Sequence, residues 1–285
     1  MQLGYIDRSL RVPDDQVFPL IKEIGLDGVE VVVREEFPKD RFWDSAARQR
    51  LARSAGDHGL TIASVLLSTH GRLDFPADDV RRALGRQMAR ATLEGCAEMG
   101  VPVMMIPCFK QDHFTTVLQL ERAVEDLCRL APLAEQLNVV IGLETLLPGA
   151  INQYLIEEVS SSHVKLYYDA GNTSNYGWDP FAELPHLAPF ICRHHIKDAR
   201  GTLGYRPAAA GQKPPEPRLR LGDGTLDLPR WLEAIRATGY DDWLMLETSP
   251  AGEDPVAEAR YNARRLRELV QAAGPASAAG AHGVV

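Results

Sequence analysis

Apolar residues follow two alternating rhythms along this chain. Short stretches are continuously apolar or alternate with period two, and the longer stretches between them repeat every three to four residues. Strand-like pieces fall at 3–7 (LGYID), 28–33 (GVEVVV), 60–68 (LTIASVLLS), 101–107 (VPVMMIP), 139–145 (VVIGLET), 164–169 (VKLYYD), 190–198 (FICRHHIKD) and 242–248 (DWLMLET). Helix-like segments fall at 14–24, 44–58, 77–99, 115–137, 150–160, 179–188, 228–238 and 254–272. Several of these stop at a glycine just before the next apolar run, as in HGL at 58–60, MGV at 99–101 and TGY at 238–240, the usual exit from a helix. Strands alternating with helices predict parallel pairing through right-handed crossovers. Eight such units within 285 residues predict one closed (β/α)8 barrel over 1–273 rather than an open doubly wound sheet. No G-x-G-x-x-G follows the first strand, so the dinucleotide-binding version lacks its marker.

Two stretches stand outside the repeat. Residues 199–224, ARGTLGYRPAAAGQKPPEPRLRLGDG, form a Pro/Gly/Ala-rich connection after the seventh strand, longer than most loops of its kind and read as a lid or mobile insert. The end of the chain, 274–285, is small and featureless and reads as a flexible tail.

Composition narrows the function. With 45% hydrophobic and 25% charged residues the chain is an ordinary globular protein, and its net charge of −8 provides no positive field for nucleic acid or an anionic bilayer. The N-terminus lacks a basic segment leading into an apolar one, and no run approaches the ~18–20 apolar residues of a membrane span. A cytoplasmic protein with no membrane partner is expected, and a homo-oligomer fits as well as a monomer. Cys96, Cys108, Cys128 and Cys192 lie far apart without C-x-x-C spacing and read as buried, reduced thiols.

In such a barrel, chemistry collects at the C-terminal ends of the strands. Strands five to eight end on or near Glu144, Asp169, His195 and Glu247, separated by 25, 26 and 52 residues. The first two intervals are one strand–helix unit each, and the third contains the insert. Asp169 is the third residue of YYDAGN (167–172), where an aspartate at a strand end can simply bond its own backbone and Gly171 let the chain turn away. Four such residues at equivalent positions change that balance, because three carboxylates and an imidazole at one mouth repel unless a cation sits among them. They form a mostly hard ligand set for one divalent cation, Mn²⁺ first, with Mg²⁺, Co²⁺, Fe²⁺ or Zn²⁺ also accommodated. Period-two alternation puts Ile191, Arg193 and His195 on the inner side and Cys192 and His194 toward the helices, so His195 is taken as the ligand. The same parity turns Lys165, Trp243 and Arg193 inward, an awkward fit to an apolar barrel floor.

These residues resemble the xylose isomerase-like TIM-barrel superfamily, which holds sugar and sugar-phosphate isomerases and epimerases. The resemblance runs over about residues 3–270, through IGLET (141–145), YYDAGN (167–172), HIKDA (195–199), LGDGTLDL (221–228) and GYDDWLMLET (239–248). It implies a single (β/α)8 TIM barrel in which Glu144, Asp169, His195 and Glu247 bind one metal and Glu144 and Glu247 also act as the acid/base pair. Substrate-contacting roles are implied or suggested for Glu30 on strand two, His70 after strand three, Lys110 after strand four, Asn172, Asp198 and Arg200. Asp198 and Lys197 are alternatively read as orienting the imidazole or the loop. The chemistry is physically coherent: a cation chelated by a carbonyl and a neighbouring hydroxyl stabilises an enediolate, and a carboxylate shuttles the proton.

Two positions depart from the tagatose-type epimerases. Those enzymes carry a glutamate six residues past the first ligand, where this chain has Ala150, and a histidine three residues past the aspartate, where it has Asn172. The expected function is therefore a metal-dependent isomerase or epimerase of a sugar, sugar phosphate or related polyhydroxy ketone, with a small carbohydrate as its partner. The alternative is a lyase or dehydratase acting on a keto-sugar or inosose, which starts with the same proton abstraction. An AP-endonuclease-like nuclease would need a larger set of metal ligands, and the acidic net charge opposes it.

Overall fold

A computed structural model describes residues 1–34, 41–68, 79–108, 114, 116–201 and 218–274. All eight expected strands form: β1 (Gln2–Ile6), β2 (Gly28–Arg34), β3 (Thr61–Ser68), β4 (Val103–Cys108), β5 (Val140–Thr145), β6 (Val164–Asp169), β7 (Ile191–Ile196) and β8 (Trp243–Leu246). Each runs parallel to the next, and β1 pairs with β8 to close the barrel. Nine helices lie among the described residues: α1 (Asp14–Glu23), α2 (Ser45–Asp57), α3 (Asp79–Met99), α4 (Val117–Leu137), α5 (Gly149–Val159), α6 (Ala170–Asn175), α7 (Pro180–Leu187), α8 (Leu228–Ala237) and α9 (Pro255–Ala272). Eight match the helical rhythm of the sequence, and α6 is additional. No helix of the described residues is long and apolar enough to cross a membrane.

Local chemistry fixes the helix starts. Asp179, Asp227 and Asp254 accept amide hydrogen bonds at the beginnings of α7, α8 and α9, each with a proline in the first two helical positions. The carboxylate satisfies amides that the helix leaves without partners, and proline has none to leave. Thr116 and Gln119 close a reciprocal capping box on α4.

Alternation along the strands divides the core in two. A large apolar cluster fills the space between strands and helices, including Val29, Ile106, Leu127, Leu143, Trp231 and Leu266. A smaller one sits inside the barrel, built from Ile6, Val32, Ala63, Leu66, Val103, Met105, Tyr167, Trp243 and Met245. Trp243 does point inward and is buried. Room for its ring comes from Gly28, where a Cβ would stand 2.6 Å from the indole.

Two bulges break the strict period-two alternation. Between β2 and β3 the register jumps, so that Val29 pairs with Ile62 and Glu30 with Ser64. Ala63 and Ser64 consequently both face inward, Ala63 into the inner cluster and Ser64 onto Glu30. Between β6 and β7, Leu166 pairs with Ile191 but Tyr167 with Arg193. That extra residue corrects the expected parity: Ile191 belongs to the outer cluster, and Cys192 packs against the inner one. An unpaired residue re-aims the strand without any mark in the hydrophobic pattern. Arg193 is buried and its charge is met by Asp242, while Lys165 reaches the Pro189 carbonyl.

The thiols also need one correction. All four cysteines are free, but Cys128 is exposed and Cys192 is only partly buried, leaving Cys96 and Cys108 as the core thiols. Position 128 lies on the solvent side of α4, where an apolar local context does not mean burial.

Candidate metal centre and active site

Glu144, Asp169 and His195 are inward residues at the ends of β5, β6 and β7, and Glu247 follows β8 directly. One ligand atom from each lies within 4.8 Å of all the others. Glu144, Asp169 and His195 are buried, whereas the Glu247 side chain is 21% exposed. His195 Nδ1 stands 3.5 Å from Glu144 Oε1 and 3.5 Å from Glu247 Oε2.

Glu30 decides which imidazole nitrogen faces this centre. Its Oε1 lies 3.0 Å from His195 Nε2, and its other oxygen accepts the Ser64 hydroxyl. A proton is therefore held on Nε2, and Nδ1 is the nitrogen that can offer a lone pair to a cation. The Tyr167 ring supports the imidazole from below, 4.3 Å between centroids. Burial by itself would favour neutral imidazole, but Glu30, Glu144 and Glu247 outweigh it and hold the His195 pKa well above its usual value. Burial likewise opposes ionisation of Glu30, yet His195 and the bonds from Ser64 and Tyr167 bring its pKa below the ordinary carboxylate range. His194, on the opposite face of β7, packs among Tyr168, Trp231 and Tyr240. Burial, helped by the charge on His195, lowers its pKa to about 3, which marks it as a neutral core residue.

The chain itself supplies a cation to this acidic set. The Lys197 ammonium lies 2.8 Å from Asp169 Oδ2 and 2.6 Å from Glu247 Oε2. Glu144 Oε2, Asp169 Oδ2 and His195 Nδ1 are nonetheless buried without an aligned hydrogen-bond partner; for Asp169 the lysine contact is an ion pair only. Buried polar atoms are normally satisfied, so three without aligned partners, in a set of three carboxylates and an imidazole whose ligand atoms lie within 4.8 Å of one another, fit one divalent cation.

Asp169 serves the backbone and the centre together. Its Oδ1 accepts the Asn172 amide and caps α6, which leaves Oδ2 for the centre. Gly171 lies within that short helix and provides no left-handed turn. What it provides is clearance, since a Cβ there would stand 2.7 Å from Lys197 Cγ. The turn expected from the sequence is thus replaced by a helix start.

The structure places the residues expected to meet substrate in different surroundings. Glu30 is fully buried beneath His195 with both oxygens engaged, so it positions the imidazole and does not line the mouth. Asn172 is also fully buried, and its Nδ2 donates to Glu144 Oε1 at 2.6 Å; it holds a candidate ligand. Asp198 is among the residues lining the cavity beside Glu247, and it accepts four backbone amides, those of Ala199, Gly222, Gly224 and Leu226, the contacts of the loop-orienting alternative. Arg200 is exposed, and its backbone amide is held by Asn175. His70 and Lys110 lie outside the described residues, as does 202–217 of the expected insert and 275–285 of the expected tail.

Residues that the sequence reading passed over complete the mouth. A cavity of about 280 Å³ opens beside Glu247 and Lys197, and Ser9, Arg11, Arg218 and Ser249 are among its walls. Lys197, read from the sequence as orienting the imidazole or the loop, instead reaches Asp169 and Glu247. Ser9 and Arg11 carry no sequence signal, because they lie in the turn after β1 and not on a strand.

Known proteins share this architecture. The family described as xylose isomerase-like TIM barrel matches residues 18–269. The chain is 31% identical over 189 residues to a 2-epi-5-epi-valiolone 7-phosphate 2-epimerase of Actinoplanes sp., covering 66% of this chain and 63% of that protein. It is 26% identical over 249 residues to the L-ribulose-5-phosphate 3-epimerase UlaE of Escherichia coli, covering 84% of each. A solved structure of L-ribulose 3-epimerase superposes with a TM-score of 0.78 over 95% of both chains at 18% identity.

Proposed function

This chain belongs to the xylose isomerase-like TIM barrel family, and from that premise we propose that it is a divalent-metal-dependent isomerase or epimerase of a sugar, sugar phosphate or related polyhydroxy ketone. The observation that carries the reading is the convergence of Glu144, Asp169, His195 and Glu247 within 4.8 Å, at the strand ends where barrels of this kind do their chemistry. Two relatives named as epimerases of phosphorylated substrates support it.

The four residues would hold the ion, and Mn²⁺ suits their mostly oxygen donors. When bound, it would draw electron density from a substrate carbonyl and acidify the neighbouring C–H. Glu144 and Glu247 come from non-adjacent strands, with Asp169 and His195 between them around the rim, so they approach a bound carbon from different sides. In an epimerisation one carboxylate removes the proton and the other returns it on the opposite face; aldose–ketose isomerisation needs one shuttle. Glu247 opens onto the cavity beside Lys197, whose ammonium pairs with it. Glu144 is held from behind by Asn172. Glu30 keeps His195 oriented.

The test is reconstitution with Mn²⁺ followed by incubation of ketoses and ketose phosphates in D₂O, read by NMR after chelation. Metal-dependent deuterium at one carbon beside the carbonyl is expected. A chain that binds no divalent ion, or a loaded chain that labels no substrate, overturns the reading. Loss of water from a keto-sugar or inosose in place of label would move the site to lyase chemistry.

A further inference from the structure

Glu247 is the member of the candidate ligand set that stands beyond its strand. Glu144, Asp169 and His195 lie within β5, β6 and β7, whereas β8 ends at Leu246. The Glu247 amide still reaches the Ile196 carbonyl at 3.2 Å, but its side chain is 21% exposed, against 1% or less for the other three. A carboxylate that is to serve as ligand and base from such a place needs an anchor of another kind.

The next residue supplies one. Thr248 is buried and meets two other buried polar residues, Tyr5 of β1 and Asn262 of α9. Asn262 Oδ1 accepts the Leu221 amide at 2.9 Å, and an amide N–H can only donate, so the carboxamide is fixed with Nδ2 toward Thr248. That Nδ2 donates to Thr248 Oγ1 at 3.0 Å. The Tyr5 hydroxyl shares a hydrogen bond with the same Oγ1 and lies 3.4 Å from the Thr248 carbonyl. Burial pushes the Tyr5 pKa up to about 12, so the phenol keeps the proton that it donates. Around Asn262 on α9, Ala259, Ala263 and Leu266 all belong to the apolar cluster, and the amide breaks that pattern. Replacing such a network with apolar groups of the same shape can leave stability almost unchanged, so what the trio adds is one fixed geometry.

We propose that Asn262 is a positioning residue for Glu247: through Thr248 it holds the strand-end carboxylate at the metal centre, and with its other side-chain atom it ties in the chain returning at Leu221. The proposal rests on the isomerase/epimerase reading above, in which Glu247 is both ligand and base. Thr248 turns to α9 while Glu247 turns to the centre, the opposite directions of successive residues in an extended chain, so holding one side chain fixes the other. One carboxamide thereby joins residues 14 and 41 positions away, the first beside Glu247 and the second at the foot of the loop that flanks the cavity.

The experiment is a double-mutant cycle read first in Mn²⁺ affinity by calorimetry. Thr248→Val removes the hydroxyl at nearly constant shape, Thr248→Ser keeps it, and Asn262→Leu removes the carboxamide. Thr248→Val and Asn262→Leu are each expected to weaken Mn²⁺ binding roughly tenfold, and Thr248→Ser to bind as the wild type does. In a Glu247→Gln background the same two changes are expected to cause no further loss. At saturating Mn²⁺, turnover of a labelled ketose should fall in both variants while KM holds. Leu269→Ala, on the same helix, is the control for lost stability alone. Wild-type affinity in Thr248→Val, an equal loss in the Glu247→Gln background, or the same loss in Leu269→Ala overturns the proposal. If Asn262→Leu does not fold, the contrast between Thr248→Val and Thr248→Ser decides. A wild type that binds no Mn²⁺ overturns the proposal together with the functional reading. Affinity weakened in the variants while no ketose is labelled in D₂O leaves Asn262 as the positioner of Glu247 and removes the enzymatic reading. Labelling that neither variant slows, at unchanged Mn²⁺ affinity, does the reverse.

Discussion

The barrel's two halves contribute different things to its interior. Strands β1–β4 fill it with Ile6, Val32, Ala63, Leu66, Val103 and Met105, and their one acidic intruder, Glu30, is buried. Strands β5–β7 and the end of β8 deliver the convergent set of Glu144, Asp169, His195 and Glu247. Burial of that set is possible because a few charges answer one another across the barrel. A carboxylate group removed from water is costly unless paired, and here Lys197, His195 and Glu30 make the pairs. The lesson is that packing and chemistry are largely separable around this ring, although β6 and β8 also pack it with Tyr167, Trp243 and Met245, and Glu30 and Tyr167 join the two through His195.

The strongest way to break that comparison is at the proposed acid/base pair. Glu247→Gln and Glu144→Gln keep side-chain volume and should each lower turnover about 10²–10⁴-fold, measured as deuterium incorporation into a labelled substrate, with thermal unfolding little changed. Loss of the fold in either variant would show that chemistry and packing are not separable. Next comes Met105→Ala, fully buried inside the other half. It should cost about 2–5 kcal/mol of stability in denaturant unfolding while divalent-ion affinity stays within about twofold; a large drop in affinity would merge the halves. Glu30→Gln tests the bridge, with metal affinity by calorimetry expected to fall roughly 10–100-fold. An unchanged affinity would mean that His195 is held well enough by Tyr167 alone. The smallest effect is expected outside the ring, where Asp227→Ala removes the cap of α8 and should cost about 0.5–2 kcal/mol without altering metal affinity.

Much of this was legible in the chain before its structure. Eight strands and eight principal helices follow from apolar periodicity, and caps such as Asp227 are written as Asp and Pro just ahead of helical stretches. Glu144, Asp169, His195 and Glu247 were readable because strand ends are fixed landmarks one unit apart. What escaped the sequence depends on register or on distance in space. The extra residues at Ala63 and Cys192 shift side chains by one face, and nothing in a period-two pattern announces them. Glu30 looked like a substrate contact because inward direction is visible in sequence but height along the barrel axis is not. Gly171 looked like a turn because clearance for a side chain 26 residues away, Lys197, has no local signature. The grip of Asp198 on Gly222, Gly224 and Leu226 had no local signature either, since those partners come from the far side of the insert.

The arrangement at Asp198 has a consequence for how this protein can vary. Its two oxygens grip the chain where it departs, at Ala199, and where it comes back, at Gly222, Gly224 and Leu226. The intervening span is thereby stitched shut at its base, and the entropy of closing such a loop grows only slowly with its length. Evolution or an engineer can exchange that span for one of another size and chemistry, as a tailor changes a cuff, and leave the seam untouched.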